Sequence, residues 1–343
     1  MKKLIFTAAL PYYLLSFLLH AIALLCLWLA ASQQPTFWGL GLLAYTLGLR
    51  HAFDADHIAA IDNTVRKLVN QRQPATGVGF YFSLGHSTVV CLLILVVSIS
   101  MPLVKQHLPI LESLGGRIGG LVSGSFLLIL AFANLLIFIN LYRTTRQSAT
   151  TTDELLQQRG FLTRILAPLL RLINHSWQMY PIGFLFGLGF DTATEIALIA
   201  LSAGHAQTAV GWGVAAFPLL FAAGMNLMDT TDSVMMTGAY QWAFATPERK
   251  RHYNLTVTAI SVIAAFMIGN IELLQVGVSL MKKASGMWLW LGNLEFSQVG
   301  YYLVALLLIV WAAAYLSWHR KTHKLAEYNW KTLLGKLRPG GVF

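Results

Sequence analysis

The chain has 343 residues, of which 56% are hydrophobic and only 11% charged, with a formal net charge of +10. A soluble domain of that make-up could not cover itself with polar surface, so a water-soluble globular protein is excluded and an all-α polytopic membrane protein is expected. The basic residues form no groove interleaved with aromatics, which removes nucleic acid as a partner.

Apolar blocks long enough to cross a bilayer are expected at 8–31, 37–62, 77–100, 118–141, 179–203, 210–237, 253–279 and 299–318, giving eight transmembrane helices. The first follows Lys2 and Lys3 as a signal peptide would, yet it is too long and lacks a small-residue cleavage site, so it is read as a retained helix. His20 on that helix is a candidate for tuning which ion fits, a packed imidazole being the alternative. Cys26 and Cys91 lie within spans without a CxxC neighbour and are read as small buried hydrophobes.

The second span contains His51-Ala-Phe-Asp-Ala-Asp-His57, and the third contains His86 within Ser83-Leu-Gly-His-Ser-Thr88. Asn134 and Asn140 lie on the fourth. A polar connector over 142–178, rich in Arg, Thr and Gln, separates four spans from four within a single transport domain, 1–343. The fifth span carries Asp191 and Glu195, and the sixth carries Asn226, Asp229 and Asp232. Trp288 and Trp290 in the loop before the eighth suit an interfacial anchor.

With a cytoplasmic N-terminus, every Lys and Arg except Arg50, Lys105, Arg117, Lys282 and Lys283 falls on the cytoplasmic side, which places both termini there. A faint echo links Phe53-Asp54-Ala-Asp-His57-Ile-Ala-Ala with Phe190-Asp191-Thr-Ala-Thr-Glu195-Ile-Ala. The two helices run in opposite directions under this topology, as an inverted repeat requires, and such repeats place a site near the membrane midplane.

Acids and imidazoles at that depth are expensive and mark function. On a continuous second helix, His51, Asp54 and His57 would share one broad face, and Asp56 would either ligate or orient an imidazole. Imidazole with hard carboxylate suits a divalent first-row ion, and the absence of a nearby thiolate argues against copper(I) or a structural zinc cluster. A buried ion-pair network involving Arg50 would explain the charges without a metal, but one arginine leaves too many acids uncompensated.

These residues resemble the nickel/cobalt transporter family of high-affinity secondary permeases. The resemblance rests on the family's second-helix signature, a His followed by four residues and then Asp-His, here His51 through Asp56-His57. It is supported by Leu84-Gly-His-Ser87, Leu188-Gly-Phe-Asp-Thr-Ala-Thr-Glu195 and Gly224-Met-Asn-Leu-Met-Asp-Thr-Thr-Asp232. The resemblance implies uptake of Ni²⁺ or Co²⁺ across the cytoplasmic (inner) membrane, eight helices with both ends inside, and second-helix His and Asp residues essential for transport.

The expected metal set is therefore His51, Asp54, Asp56, His57 and His86, with Asn134, Asp191, Glu195, Asn226, Asp229 and Asp232 along the path or at a gate. The metal is cargo, and no cofactor is expected. No P-loop is present and no obligate ATPase partner is expected. A membrane potential of 100 mV supplies a divalent ion with about 4.6 kcal/mol, on the order of a thousand-fold accumulation. An intramembrane metal-dependent hydrolase is the alternative, although no HExxH occurs.

Overall fold

The computed structural model describes residues 2–32, 34–99, 101–146, 173–189, 212–244, 247–281, 285–292, 294, 299–313 and 316. Among these residues the regular structure is helical, with no strand. In chain order the helices are α1 (Lys2–Ala31), α2 (Phe37–His51), α3 (Ala55–Asn70), α4 (Val78–Ile99), α5 (Met101–Arg146), α6 (Met179–Gly187), α7 (Trp212–Phe244), α8 (Pro247–Ser279), α9 (Met287–Gly292) and α10 (Val299–Ala313). The chain divides into two units, Met1–Leu303 and Val304–Phe343, and the site described below lies within the first.

Four stretches are long and apolar enough to cross a membrane: Ile5–Ala31, Val78–Val96, Ser113–Leu136 and Thr256–Ser279. Their outward faces carry large apolar side chains, such as Phe6 and Phe17 on α1 and Ile263 and Met267 on α8. Lipid tails satisfy such faces as well as protein would, so helix association must come from close packing and interhelical hydrogen bonds.

That packing is visible where α1, α2 and α7 meet. Ala23, Leu27, Phe37, Ala44, Phe217 and Phe221 are fully or almost fully buried there, and the rings of Phe37 and Phe217 meet edge to face with centroids 5.8 Å apart. Gly48 on α2 lies directly against the backbone carbonyl of Phe221, where any side chain would collide. Cys26 is buried in the same cluster, as its reading as a small hydrophobe required.

The expected helix over 37–62 is corrected: it is two helices joined by a break at Ala52, Phe53 and Asp54. The end of α2 tightens through Phe53 N–H to Arg50 O and Asp54 N–H to His51 O, both 2.9 Å, as a terminal helical turn does. Asp54 then adopts an extended conformation (φ −65°, ψ 143°) and its carbonyl accepts from Ile58 N–H at 3.1 Å to start α3. Asp54 occupies the cap position without a side-chain capping bond, and the carboxylates of Asp54 and Asp56 complement the positive end of the helix. The Phe53 ring stacks on Tyr301 with centroids 5.2 Å apart, which braces the break.

The helix also continues beyond the expected boundary to Asn70, so Arg66 and Lys67, expected in a cytoplasmic loop, are buried on α3 instead.

Candidate metal centre

His51 occupies the last turn of α2, His57 the first turn of α3, and His86 the middle of α4. In an uninterrupted helix, side chains six residues apart lie about 9 Å apart along the axis and about 120° apart around it. The break removes that separation. The ring centroids of His51 and His57 stand 4.6 Å apart, those of His51 and His86 4.9 Å, and those of His57 and His86 5.0 Å.

One nitrogen from each ring lies within 4.8 Å of the others. His51 Nε2 and His86 Nε2 are 3.1 Å apart. Two imidazole nitrogens each about 2.1 Å from one ion lie about 3 Å apart when adjacent in its coordination shell, so this pair already has ligand spacing.

The buried polar atoms here want a partner. Among the described residues, His57 and His86 are almost fully buried, and His57 Nδ1, His57 Nε2 and His86 Nδ1 make no hydrogen bond. Asp229 on α7 is completely buried with both carboxylate oxygens lacking a hydrogen bond. Its Oδ2 stands 3.4 Å from His57 Nδ1, in ion-pair range without hydrogen-bond alignment. Leaving such groups unpaired is costly, and a divalent cation would satisfy them together.

Around the imidazoles the walls are aromatic. Phe82 meets His57 edge to face at 4.8 Å and Phe221 lies 5.7 Å from His51. Gly79 on α4 abuts the backbone carbonyl of Asp229, fixing the approach of α4 and α7. One turn before Asp229, Asn226 donates to Ser83 Oγ at 2.6 Å and to Phe80 O at 3.2 Å, while its own amide oxygen has no hydrogen bond.

The two aspartates of the second-helix motif take different positions. Asp54 Oδ2 lies 2.9 Å from His51 Nδ1, holding the opposite ring nitrogen toward His86. That is how a carboxylate orients a metal-binding imidazole without ligating the ion itself. Asp56 Oδ1 accepts the backbone N–H of His57 at 2.9 Å, at the start of α3.

The other expected site residues lie at varying distances from the cluster. Asp232, one turn after Asp229 on α7, interacts electrostatically with Asp229 and Asp62, and its Oδ2 has no hydrogen bond. Asn134 on α5 donates to Asn63 Oδ1 at 2.8 Å and to Leu130 O, binding α5 to α3. His20 joins Ser16 O at 2.7 Å and the Tyr45 hydroxyl at 3.3 Å, so it bridges α1 to α2 and is not part of the imidazole cluster. Asp191 and Glu195 lie outside the described residues.

Two acids escaped sequence reasoning. Glu272 on α8 is buried, accepts a hydrogen bond from the Ser123 hydroxyl of α5, and interacts electrostatically with Asp56. It was visible as a lone acid in the apolar seventh span. Asp62 pairs with Arg66 four residues later, Nη2 to Oδ2 2.9 Å, a spacing that is itself a helical ion-pair signal.

Apolar helices surrounding a cluster of three imidazoles, two of them buried, define a helical membrane protein with a centre that could hold a metal ion. Residues 37–317 match the family model described as high-affinity nickel-transport protein, and the chain belongs to that family. The nickel transporter NixA of Staphylococcus aureus is 51% identical over 316 residues, covering 90% of this chain and 94% of its own length. The nickel transporter NicT of Mycobacterium tuberculosis is 46% identical over 292 residues, covering 82% of this chain and 78% of its own. The cobalt transport protein NhlF of Rhodococcus rhodochrous is 37% identical over 321 residues, covering 90% and 91% respectively. No solved structure matches the chain. The family is one of transporters and not of enzymes, and the hydrolase alternative finds no support.

Proposed function

We propose that this chain takes up Ni²⁺ or Co²⁺ across the cytoplasmic membrane as a secondary transporter, with the ion held at the break between α2 and α3. The convergence of His51, His57 and His86 from three helical segments carries the reading. His51, His57 and His86 ligate the ion, Asp54 holds His51 in register, and Asp229 supplies carboxylate charge beside His57. Asp56 steadies the start of α3 and presents negative charge to the arriving ion. Asp232, Asp191 and Glu195 continue the path, Asn134 and Asn226 hold its walls, and His20 acts on α2 through Tyr45.

In this proposal the chain forms one transport domain with eight spans, both termini and the 142–178 connector being cytoplasmic. An inverted repeat is supported by two features. Helix α6 ends at Gly187 and turns at Leu188 and Gly189, just before Phe190-Asp191, as α2 ends just before Phe53-Asp54. The second expected span packs on the sixth, α2 on α7, and the fifth packs on the third, α6 on α4, which is the exchange that a repeat of this kind produces.

Neutral imidazoles are the binding form, so protons compete with the metal. The deciding experiment is Ni²⁺ and Co²⁺ accumulation in cells, comparing the intact chain with His51→Ala, His57→Ala and Asp56→Asn at matched expression. Equal accumulation by all four would defeat the reading, and competition between the two ions ranks them.

A further inference from the structure

Arg66 is the largest fully buried side chain among the described residues. Its Nη2 reaches Asp62 Oδ2 at 2.9 Å, the Tyr240 hydroxyl at 2.7 Å and the Ser261 hydroxyl. The Tyr240 hydroxyl donates in turn to Asp62 Oδ1, and the guanidinium stands 5.0 Å from the Tyr240 ring centre. Thus α3, α7 and α8 meet around one enclosed cation. Along α7, Asp229 stands beside His57 and Tyr240 beside Arg66, so Asp232, one turn after Asp229, lies on the stretch of helix between the imidazoles and this cation. Both Asp229 carboxylate oxygens and Asp232 Oδ2 make no hydrogen bond. Asp229 and Asp232 on α7 and Asp62 on α3 thus occupy the interval from His57 to Arg66.

A buried ion pair is a poor way to hold helices together, because desolvating both charges offsets most of their attraction. It is a good way to keep a cation site satisfied when no cargo is present. We propose that Asp62 is a second station for the transported divalent ion, and that the Arg66 guanidinium fills this station as a tethered replacement cation. The proposal rests on the path read above through Asp229 and Asp232.

An ion stepping from Asp232 to Asp62 displaces Arg66. When the ion leaves toward the cytoplasm, Arg66 reclaims the carboxylate and blocks rebinding. At each stage Asp62 faces a cation, so its charge is never left bare in a buried setting. Guanidinium suits the task because it stays ionised when buried, and its Nη2 reaches the Asp62 carboxylate and the Tyr240 and Ser261 hydroxyls together.

The test uses purified full-length protein, radioactive Ni²⁺, equilibrium dialysis for stoichiometry and a chelator chase for release. The intact chain should bind one ion per chain tightly. Arg66→Gln should bind a second ion and release its label about tenfold more slowly, since no tethered cation expels it. Arg66→Lys, which keeps the charge but carries it on a shorter, more strongly hydrated ammonium, should fall between, at about threefold slower than the intact chain. If Arg66→Gln does not give folded protein by size-exclusion chromatography, the Lys variant decides. Stoichiometry and release rates equal to those of the intact chain, in whichever variants fold, would overturn the proposal and leave the pair a packing device. His57→Ala judges the imidazole centre separately: if it keeps the tight ion, that centre is misassigned, while the Arg66 series still answers for Asp62.

Discussion

Replacing Asp54 by Asn separates an orienting carboxylate from a ligating one. Asp54 Oδ2 lies 2.9 Å from His51 Nδ1, and both side chains are about one-fifth exposed, at 18% for His51 and 22% for Asp54. The Asp54 side chain makes no capping hydrogen bond to α3, although the residue occupies the cap position, so its replacement leaves the helix start intact. An asparagine oxygen can still accept from His51 Nδ1–H and keep the ring nitrogen facing His86 available for metal; what is lost is charge. Carboxylates that orient metal-binding imidazoles typically contribute 10–100-fold in affinity, so Asp54→Asn should raise the half-saturating Ni²⁺ concentration by about tenfold, or ~1.4 kcal/mol. Asp54→Ala, which also frees the ring to turn, should approach about a hundred-fold. The assay is initial-rate uptake of radioactive Ni²⁺ over a concentration series, with membrane abundance matched by immunoblot. Equal defects in the Asn and Ala variants would refute the orienting role, because the retained acceptor would then contribute nothing. Unchanged half-saturation in both would remove Asp54 from the site.

His86→Ala should raise half-saturation by at least tenfold, because it deletes the nitrogen 3.1 Å from His51 Nε2; the same uptake series measures it. Gly79→Ala should prevent α4 and α7 from closing beside Asp229, since the added carbon meets that residue's carbonyl, and should appear as lost monodisperse protein on size-exclusion chromatography. Acidifying the outside should raise half-saturation reversibly, with recovery on return to neutrality, because protons compete with the metal for the imidazole nitrogens.

The residue types of the centre were legible in the sequence because polar groups in apolar helices are few. His51, His57 and His86 stand out against Leu, Ala and Phe, and the structure brings those three together. Their geometry was less legible, because helical periodicity presumes an unbroken helix and the break at Asp54 shows only as an aspartate suited to capping. The fate of Arg66 and Lys67 was hidden for a related reason. A positive charge near a span boundary reads as loop, and only the packing of α3 among α5, α7 and α8 reveals burial. Glu272 was overlooked because a single acid in a long apolar run carries no motif, whereas its partner Ser123 lies 149 positions away in the sequence.

The break also resolves an electrostatic problem at the centre. A helix N-terminus carries partial positive charge and would repel an arriving cation, yet α3 begins beside the imidazoles. Asp54 at the cap and Asp56 in the first turn counter that field. One does so while bonded to His51 and the other while bonded to a backbone N–H at the helix start. On the opposite side, α2 ends at His51 and its carbonyl end favours a cation. A single uninterrupted helix would offer neither terminus at this depth. The same interruption therefore brings His51 and His57 together, supplies a favourable dipole from α2, and requires two acids to offset the unfavourable one from α3. The dense spacing of charge between His51 and His57 follows from that requirement, with the acids needed beside the cargo whether or not either of them touches it.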